Sequence, residues 1–224
     1  MKKRLPEIDA LRGLAILGMI VFHFFFDLDY LGIFASDMWS GGWLVAARAG
    51  QFLFLGLVGF SVALSSRGFR GQLVRGVRIF GLGMLVSFFT WIFAGDDFVK
   101  FGVLHFIGVV VVIASCFKGR PGFTLLLAAA SFILGEYFKT LMVGVGFLFP
   151  FGLVRAGFSS LDYFPIFPWL SVVLVGLVVG EFYRSRWKYG DVFLLSWMGR
   201  RSLLIYLIHQ PILIGVLMVL KGVL

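Results

Sequence analysis

Three histidines, His23, His105 and His209, stand inside long apolar runs of this 224-residue chain. A neutral imidazole can take a proton from a hydroxyl or an amine as a general base. Ionisable side chains are expensive in a lipid interior, so each of the three is first read as part of a functional site. The competing reading is that each only bridges helices by hydrogen bonding. His23 carries the most information. It follows Arg12 by eleven positions. On a helix that spacing is three turns plus about 20°, so the two face one way, roughly 16 Å apart along the axis. Asp9, Ile16, Met19 and Asp27 fall on or near the same stripe. Asp27, one turn beyond His23, is placed to orient it; its other reading is a solvated residue at a helix end. Counted from the basic residue that begins or ends each apolar run (Arg12, Lys118 and Arg201), the histidines lie at depths of roughly 16, 20 and 12 Å. A three-histidine metal site is conceivable, but no two histidines stand four apart on one helix. No metal is expected.

The second group is basic. Arg67, Arg70, Arg75 and Arg78 crowd between two apolar runs. Guanidinium forks bind phosphate bidentately, and a helix N-terminus favours anions. Anchoring at an anionic lipid surface accounts for Arg67 and Arg70 equally well. For the Arg75 and Arg78 pair, one turn apart at the predicted start of a helix, phosphate binding stands level with lipid anchoring. Asp9 and Arg12, at i and i+3, can form an ion pair that fixes a helix start or aims Arg12 at an anionic ligand, and Glu7 can join it.

These residues need a scaffold, and the composition names it. Hydrophobic residues make up 60% of the chain and charged ones 14%, with a mean hydropathy of +1.01. Typical soluble domains are roughly half apolar and a quarter charged. The chain therefore reads as an all-α, polytopic transmembrane helical bundle. Seven segments suit a bilayer, near 11–31, 43–65, 76–95, 101–117, 122–141, 167–183 and 201–220, the fourth being short. The stretch 142–166, rich in Gly, Pro and Phe, reads as a re-entrant or interfacial segment. The whole, 1–224, reads as one transmembrane domain. Arg184 to Met198 reads as interfacial, with Trp187, Tyr189 and Trp197 at headgroup level. The 29 glycines are assigned to close helix packing.

With the N-terminus inside, fifteen of the twenty Lys and Arg fall on the cytoplasmic side and five (Arg48, Lys100, Lys139, Arg155 and Lys221) on the other. That bias supports a cytoplasmic N-terminus. It also explains the net charge of +9 without a nucleic-acid partner. The single cysteine, Cys116, excludes an intramolecular disulfide framework. The basic start, Met1-Lys2-Lys3-Arg4, lacks a small-residue cleavage site behind it and is not read as a signal peptide.

Arg12, ten intervening residues and His23 resemble a signature of the transmembrane acyltransferase superfamily. Arg75-Gly76-Val77-Arg78-Ile79 is similar to the arginine pair that opens the third helix there, and Phe52 to Ser61 to its second-helix motif. The closer resemblance is to the heparan-alpha-glucosaminide N-acetyltransferase catalytic family of DUF1624-type proteins. It is carried by Glu7-Ile8-Asp9-Ala10-Leu11-Arg12-Gly13, by Gly102-Val103-Leu104-His105-Phe106-Ile107-Gly108, and by Met198 to Pro211. The resemblance implies acetyl transfer across the membrane, from cytoplasmic acetyl-CoA to a sugar amine or hydroxyl at the outer face. It implies His23 as the catalytic histidine, with Asp27 beside it, and Arg12, Arg75 and Arg78 as contacts for the coenzyme's phosphates. His105, His209, Gln210 and Asp9 would line the site. The lysosomal member places its proposed catalytic histidine in a luminal segment. Here the corresponding region, Leu28 to Trp43, has none, so either His23 takes that role or the chemistry differs.

The expected protein is thus a multi-pass acyltransferase of a prokaryotic-type plasma membrane, with acetyl-CoA, a carbohydrate or glycolipid acceptor and lipid as partners. A homodimer is compatible with this. The alternative is a small-molecule or proton-coupled transporter with histidines along its pathway, for which an inverted repeat is expected and not found. A retinal-type pump needs a lysine within a span, and Lys221 stands at the end of the last one.

Overall fold

A computed structural model describes residues 5–34, 37–38, 40–183 and 192–223. Its eight α-helices are α1 (Pro6–Tyr30), α2 (Gly41–Leu64), α3 (Phe69–Ala94), α4 (Val103–Phe117), α5 (Pro121–Phe138), α6 (Ile166–Phe182), α7 (Phe193–Arg200) and α8 (Ser202–Val223). Five of them, α1, α2, α3, α5 and α8, are long and apolar enough to cross a bilayer, and α4 and α6 are shorter apolar helices. Together these are the seven predicted segments, in an all-α bundle.

Burial is inverted relative to a soluble domain. Along α3 the buried residues are Gln72, Gly76, Ile79, Gly83 and Ser87. Leu73, Val77, Met84, Leu85, Phe88 and Ile92 of the same helix are exposed. The buried set follows steps of three and four, one helical face. In lipid, apolar tails satisfy large side chains, and helices associate through small and polar ones. In α5 the buried stripe is likewise Thr124, Ala128, Ser131 and Gly135.

The chain divides into two compact units, one of Met1–Phe54 with Arg184–Leu224, the other of Leu55–Tyr183. In the second, α4 and α6 supply the core, with Phe106, Val110, Val111, Val173, Leu174 and Leu177 all fully or almost fully buried. Protein-covered helices need not match the bilayer thickness, which accounts for their 15 and 17 residues. Close approach is set by glycine. A Cβ on Gly176 would collide with the backbone of Gly56, and one on Gly108 with Phe80. Lys118, just past α4, donates to the Ser65 carbonyl at 2.6 Å, a cation at the C-terminal end of α2.

The 142–166 segment holds a short 3-10 helix, Gly146–Phe151, and a folded return that joins the α3–α4 loop. Leu161 N–H donates to the Asp97 carbonyl at 2.8 Å and Phe164 N–H to the Phe101 carbonyl at 2.9 Å. Asp162 accepts from the Val103 N–H at 2.9 Å, at the start of α4. Tyr163 Oη donates to the Phe149 carbonyl at 2.7 Å. Burial pushes its phenol up to about 12.

In the first unit, α1 begins at Pro6, with Glu7 and Asp9 in its first turn, both favourable at a helix N-terminus. It ends where Gly32, at φ +70°, lets its N–H reach the Asp29 carbonyl and the Ile33 N–H reach that of Leu28, each at 2.9 Å. This left-handed cap is open to glycine at low cost. The eight-residue α7 lies along the start of α1, where Cβ atoms on Gly13 or Gly199 would strike the backbones of Leu195 and Asp9. The Arg201 guanidinium sits 4.7 Å from the Trp197 ring centre. Trp187, Tyr189 and the basic residues Lys2, Lys3, Arg4, Arg184, Arg186 and Lys188 lie outside the described residues.

Candidate active site

In the first unit, α1 and α8 bring four of the expected side chains together. His23 and Asp27 are one turn apart on α1, and His209 and Gln210 are consecutive on α8. The His23 and His209 ring centres are 5.0 Å apart, with the planes at 80°. Gln210 Nε2 donates to Asp27 Oδ1 at 2.8 Å, and Gln210 also lies beside His23. The hydrogen bond of Asp27 thus goes to Gln210. The expected orientation of His23 by Asp27 would have to act through it. Phe22 meets the His23 ring edge-on at 6.0 Å.

His209 Nδ1 lies 2.7 Å from the Tyr206 carbonyl oxygen. A carbonyl only accepts, so Nδ1 must carry a hydrogen, and the neutral ring then holds its lone pair at Nε2. Pro211 follows directly, inside α8. It lacks the N–H that would close the turn on Leu207, a local loosening that a membrane helix tolerates where neighbours re-satisfy the backbone.

Five buried side-chain polar atoms lack a hydrogen-bond partner among the described residues. They are His23 Nδ1, Asp27 Oδ2, His209 Nε2, Gln210 Oε1 and Ser131 Oγ. Four of the five belong to this one cluster. Each such atom costs about 1–3 kcal/mol, and native folds hold only a few of them, so four in one cluster call for a partner or a role. Two of the four act here only as acceptors, the Gln210 carbonyl oxygen and His209 Nε2, and Asp27 Oδ2 joins them when its carboxyl group is ionised. The arrangement suits a group that brings N–H or O–H donors.

Toward the start of α1, Arg12 Nη1 pairs with Asp9 Oδ1 at 2.9 Å. Asp9 and Glu7 are both buried, and Ser196 Oγ of α7 donates to the Pro6 carbonyl at 3.2 Å. Helix α1 is continuous from Arg12 to His23, so the derived separation of roughly 16 Å holds.

The second unit holds the remaining candidates. His105 is 2% exposed, at the third position of α4. Its Nδ1 accepts from the Gly102 N–H at 3.2 Å, and Ser87 Oγ lies 3.4 Å from Nε2. Its ring stacks on Phe101 and meets Phe80 edge-on. In this environment His105 closes the helix N-terminus. Helix α3 starts at Phe69, seven residues before the expected boundary. Arg75 and Arg78 therefore lie beyond the first turn, where helix-terminus attraction for anions has faded. Arg75 is half-buried, with Nη1 3.5 Å from Gln72 Oε1, while Arg78 is exposed.

A family model described as the catalytic region of heparan-alpha-glucosaminide N-acetyltransferase matches residues 4–211. The chain belongs to that family. Comparison with curated proteins gives no match, and comparison with solved structures gives none either. For a heparan-alpha-glucosaminide N-acetyltransferase-type chain, membership points to membrane acetyltransferase-type activity. The match runs through the His23–Asp27 turn and ends at Pro211, just past His209 and Gln210. Sequence reasoning did not find the Tyr206 carbonyl, Gln72 or Asp162. For Gln72 a signal was available, a glutamine three positions before Arg75. A backbone carbonyl leaves none.

Proposed function

We propose that this chain moves an acetyl group from cytoplasmic acetyl-CoA to an amine or hydroxyl of a carbohydrate or glycolipid at the outer face of the membrane, with His23 as general base. The carrying observation is the cluster of four unpartnered polar atoms on α1 and α8 in a chain of this family. His23 removes the proton from the acceptor N–H or O–H as the heteroatom attacks the thioester carbonyl. The new C–N or C–O bond forms, the C–S bond breaks, and the departing thiolate takes the proton. Asp27 holds Gln210, and Gln210 lies beside His23. Arg12, with Asp9 beside it in the first unit, and Arg75 and Arg78 in the second, are each separate candidates for the coenzyme's phosphates.

The test uses full-length protein in lipid nanodiscs. Binding of labelled acetyl-CoA and release of free coenzyme are followed with a panel of amino sugars and of sugars bearing only hydroxyls. Transfer to a panel member supports the reading, and the preferred member distinguishes N- from O-acetylation. Absence of both binding and release overturns it. Arg12→Gln, Arg75→Gln and Arg78→Gln are expected to weaken coenzyme binding, and full affinity in any one removes that residue from the phosphate set.

A further inference from the structure

Two of the unpartnered atoms face a chemical choice that the fold has half decided. The Tyr206 carbonyl fixes the proton of His209 on Nδ1, which leaves Nε2 of that ring as a lone-pair acceptor. That atom is buried and unpartnered, and so is Nδ1 of His23 in the ring 5.0 Å away. The two rings stand at 80°, edge to face, and no hydrogen bond joins the two atoms. A hydrogen on His23 Nδ1, relayed to His209 Nε2 across one bridging water, satisfies both orphans at once. Catalytic hydrogen bonds are often long or poorly aligned before substrate binds.

We propose that His209 is a positioning residue for His23. The chain of groups runs from the Tyr206 carbonyl, through the His209 Nδ1–H and Nε2 and the bridging water, to the His23 Nδ1–H. It leaves His23 Nε2 as the lone-pair nitrogen that meets the acceptor. His209 then does for His23 what a carboxylate does for the histidine of a hydrolase triad: it holds the tautomer and the ring orientation. When His23 Nε2 takes the acceptor's proton, the imidazolium keeps its Nδ1–H on the water held by His209. The proton leaves from Nε2 to the thiolate, so no net charge is left on either ring. The proposal rests on the reading of His23 as the base, but its first test does not.

The chain has only three histidines, so nitrogen-15 histidine labelling of full-length protein in nanodiscs gives six ring-nitrogen signals, assigned by single substitution. At pH 8, where neutral rings dominate, His23 and His209 are both expected as the Nδ1–H tautomer. In His209→Leu, His23 is expected to move to the Nε2–H form or to a mixture. In His209→Gln, whose side-chain oxygen can still accept, His23 Nδ1–H is expected to persist. A wild-type His23 that is Nε2–H overturns the proposal, and so does a His23 tautomer indifferent to His209→Leu. Kinetics supply the second arm. His209→Leu is expected to lower kcat by about 10- to 1000-fold with coenzyme binding unchanged, and His209→Gln to restore a large part of it. Equal losses in the two variants would assign His209 a packing role. If no acetyl transfer is found at all, the tautomer result still stands or falls by itself.

Discussion

The bond between Asp27 and Gln210 ties α1 to α8 at the heart of the candidate site, and its contribution can be worked out from the structure. Asp27 is 4% exposed, and one of its oxygens is already unpartnered. Gln210→Ala removes the donor to the other oxygen, which lies at 2.8 Å, leaving the whole carboxyl group without a side-chain partner. Asp27→Ala removes the acceptor of the Gln210 Nε2, although that side chain still lies beside His23. Each single change is expected to cost about 1–3 kcal/mol, the usual penalty for an orphaned buried group. The double change removes both groups and so avoids part of that penalty. Coupling energies measured between membrane helices average about 0.6 kcal/mol and reach about 1.7. Because this pair includes a carboxyl group, the upper half of that range is expected. The assay is a double-mutant cycle on reversible unfolding in mixed micelles, with Asp27→Ala, Gln210→Ala and the pair. Additivity within about 0.3 kcal/mol would show that the bond carries no energy of its own and would remove it as the clamp between the two helices.

Other expectations follow from the same geometry. Gly13→Ala and Gly199→Ala, whose Cβ atoms would meet backbone carbonyls, should destabilise the first unit by about 1–3 kcal/mol in the same unfolding assay. Gly18→Ala and Gly215→Ala, mid-helix with open space around them, should instead be neutral or stabilise by up to about 1 kcal/mol. His105→Leu leaves the Gly102 N–H without its acceptor and should cost about 1–3 kcal/mol in unfolding. Tyr163 sits outside the spans with its phenol pushed up to about 12. The neutral phenol is favoured in the fold, so its contribution is present below the unfolded value near 10 and is lost as pH rises from about 10 to 12. Tyr163→Phe should flatten that part of the stability–pH curve relative to wild type.

The helices were largely legible because a bilayer imposes one length and one hydropathy on every span. Helix α1 begins at Pro6, ahead of the span expected from residue 11, because Pro6, Glu7 and Asp9 suit a helix N-terminus for local reasons that hydropathy does not register. Helix α3 begins earlier than hydropathy indicates, because Arg70, Gln72 and Arg75 lower the apolar average while being good helix formers. The site divides along similar lines. Spacing along a helix fixes depth, so the reach from Arg12 to His23 could be read directly. Rotation about the axis against a neighbouring helix cannot be read that way. Nothing in the sequence showed that His23 would meet His209, which lies 186 positions on, or that Asp27 would choose Gln210. His105 had an apparent depth similar to the others, roughly 20 Å against 16 and 12 Å. Its role at the start of α4 depends on a helix boundary at Val103 and on Ser87 of another helix, both tertiary facts.

The most direct test of the central claim is acetyl transfer by the His23→Ala variant. Full-length protein in nanodiscs is given labelled acetyl-CoA and the acceptor preferred by wild type, and coenzyme release and labelled product are measured together. Removal of a positioned general base is expected to lower turnover by about 10²- to 10⁴-fold, with acetyl-CoA binding close to wild type. Turnover of His23→Ala at the wild-type rate would contradict the assignment of the transfer chemistry to the α1–α8 cluster.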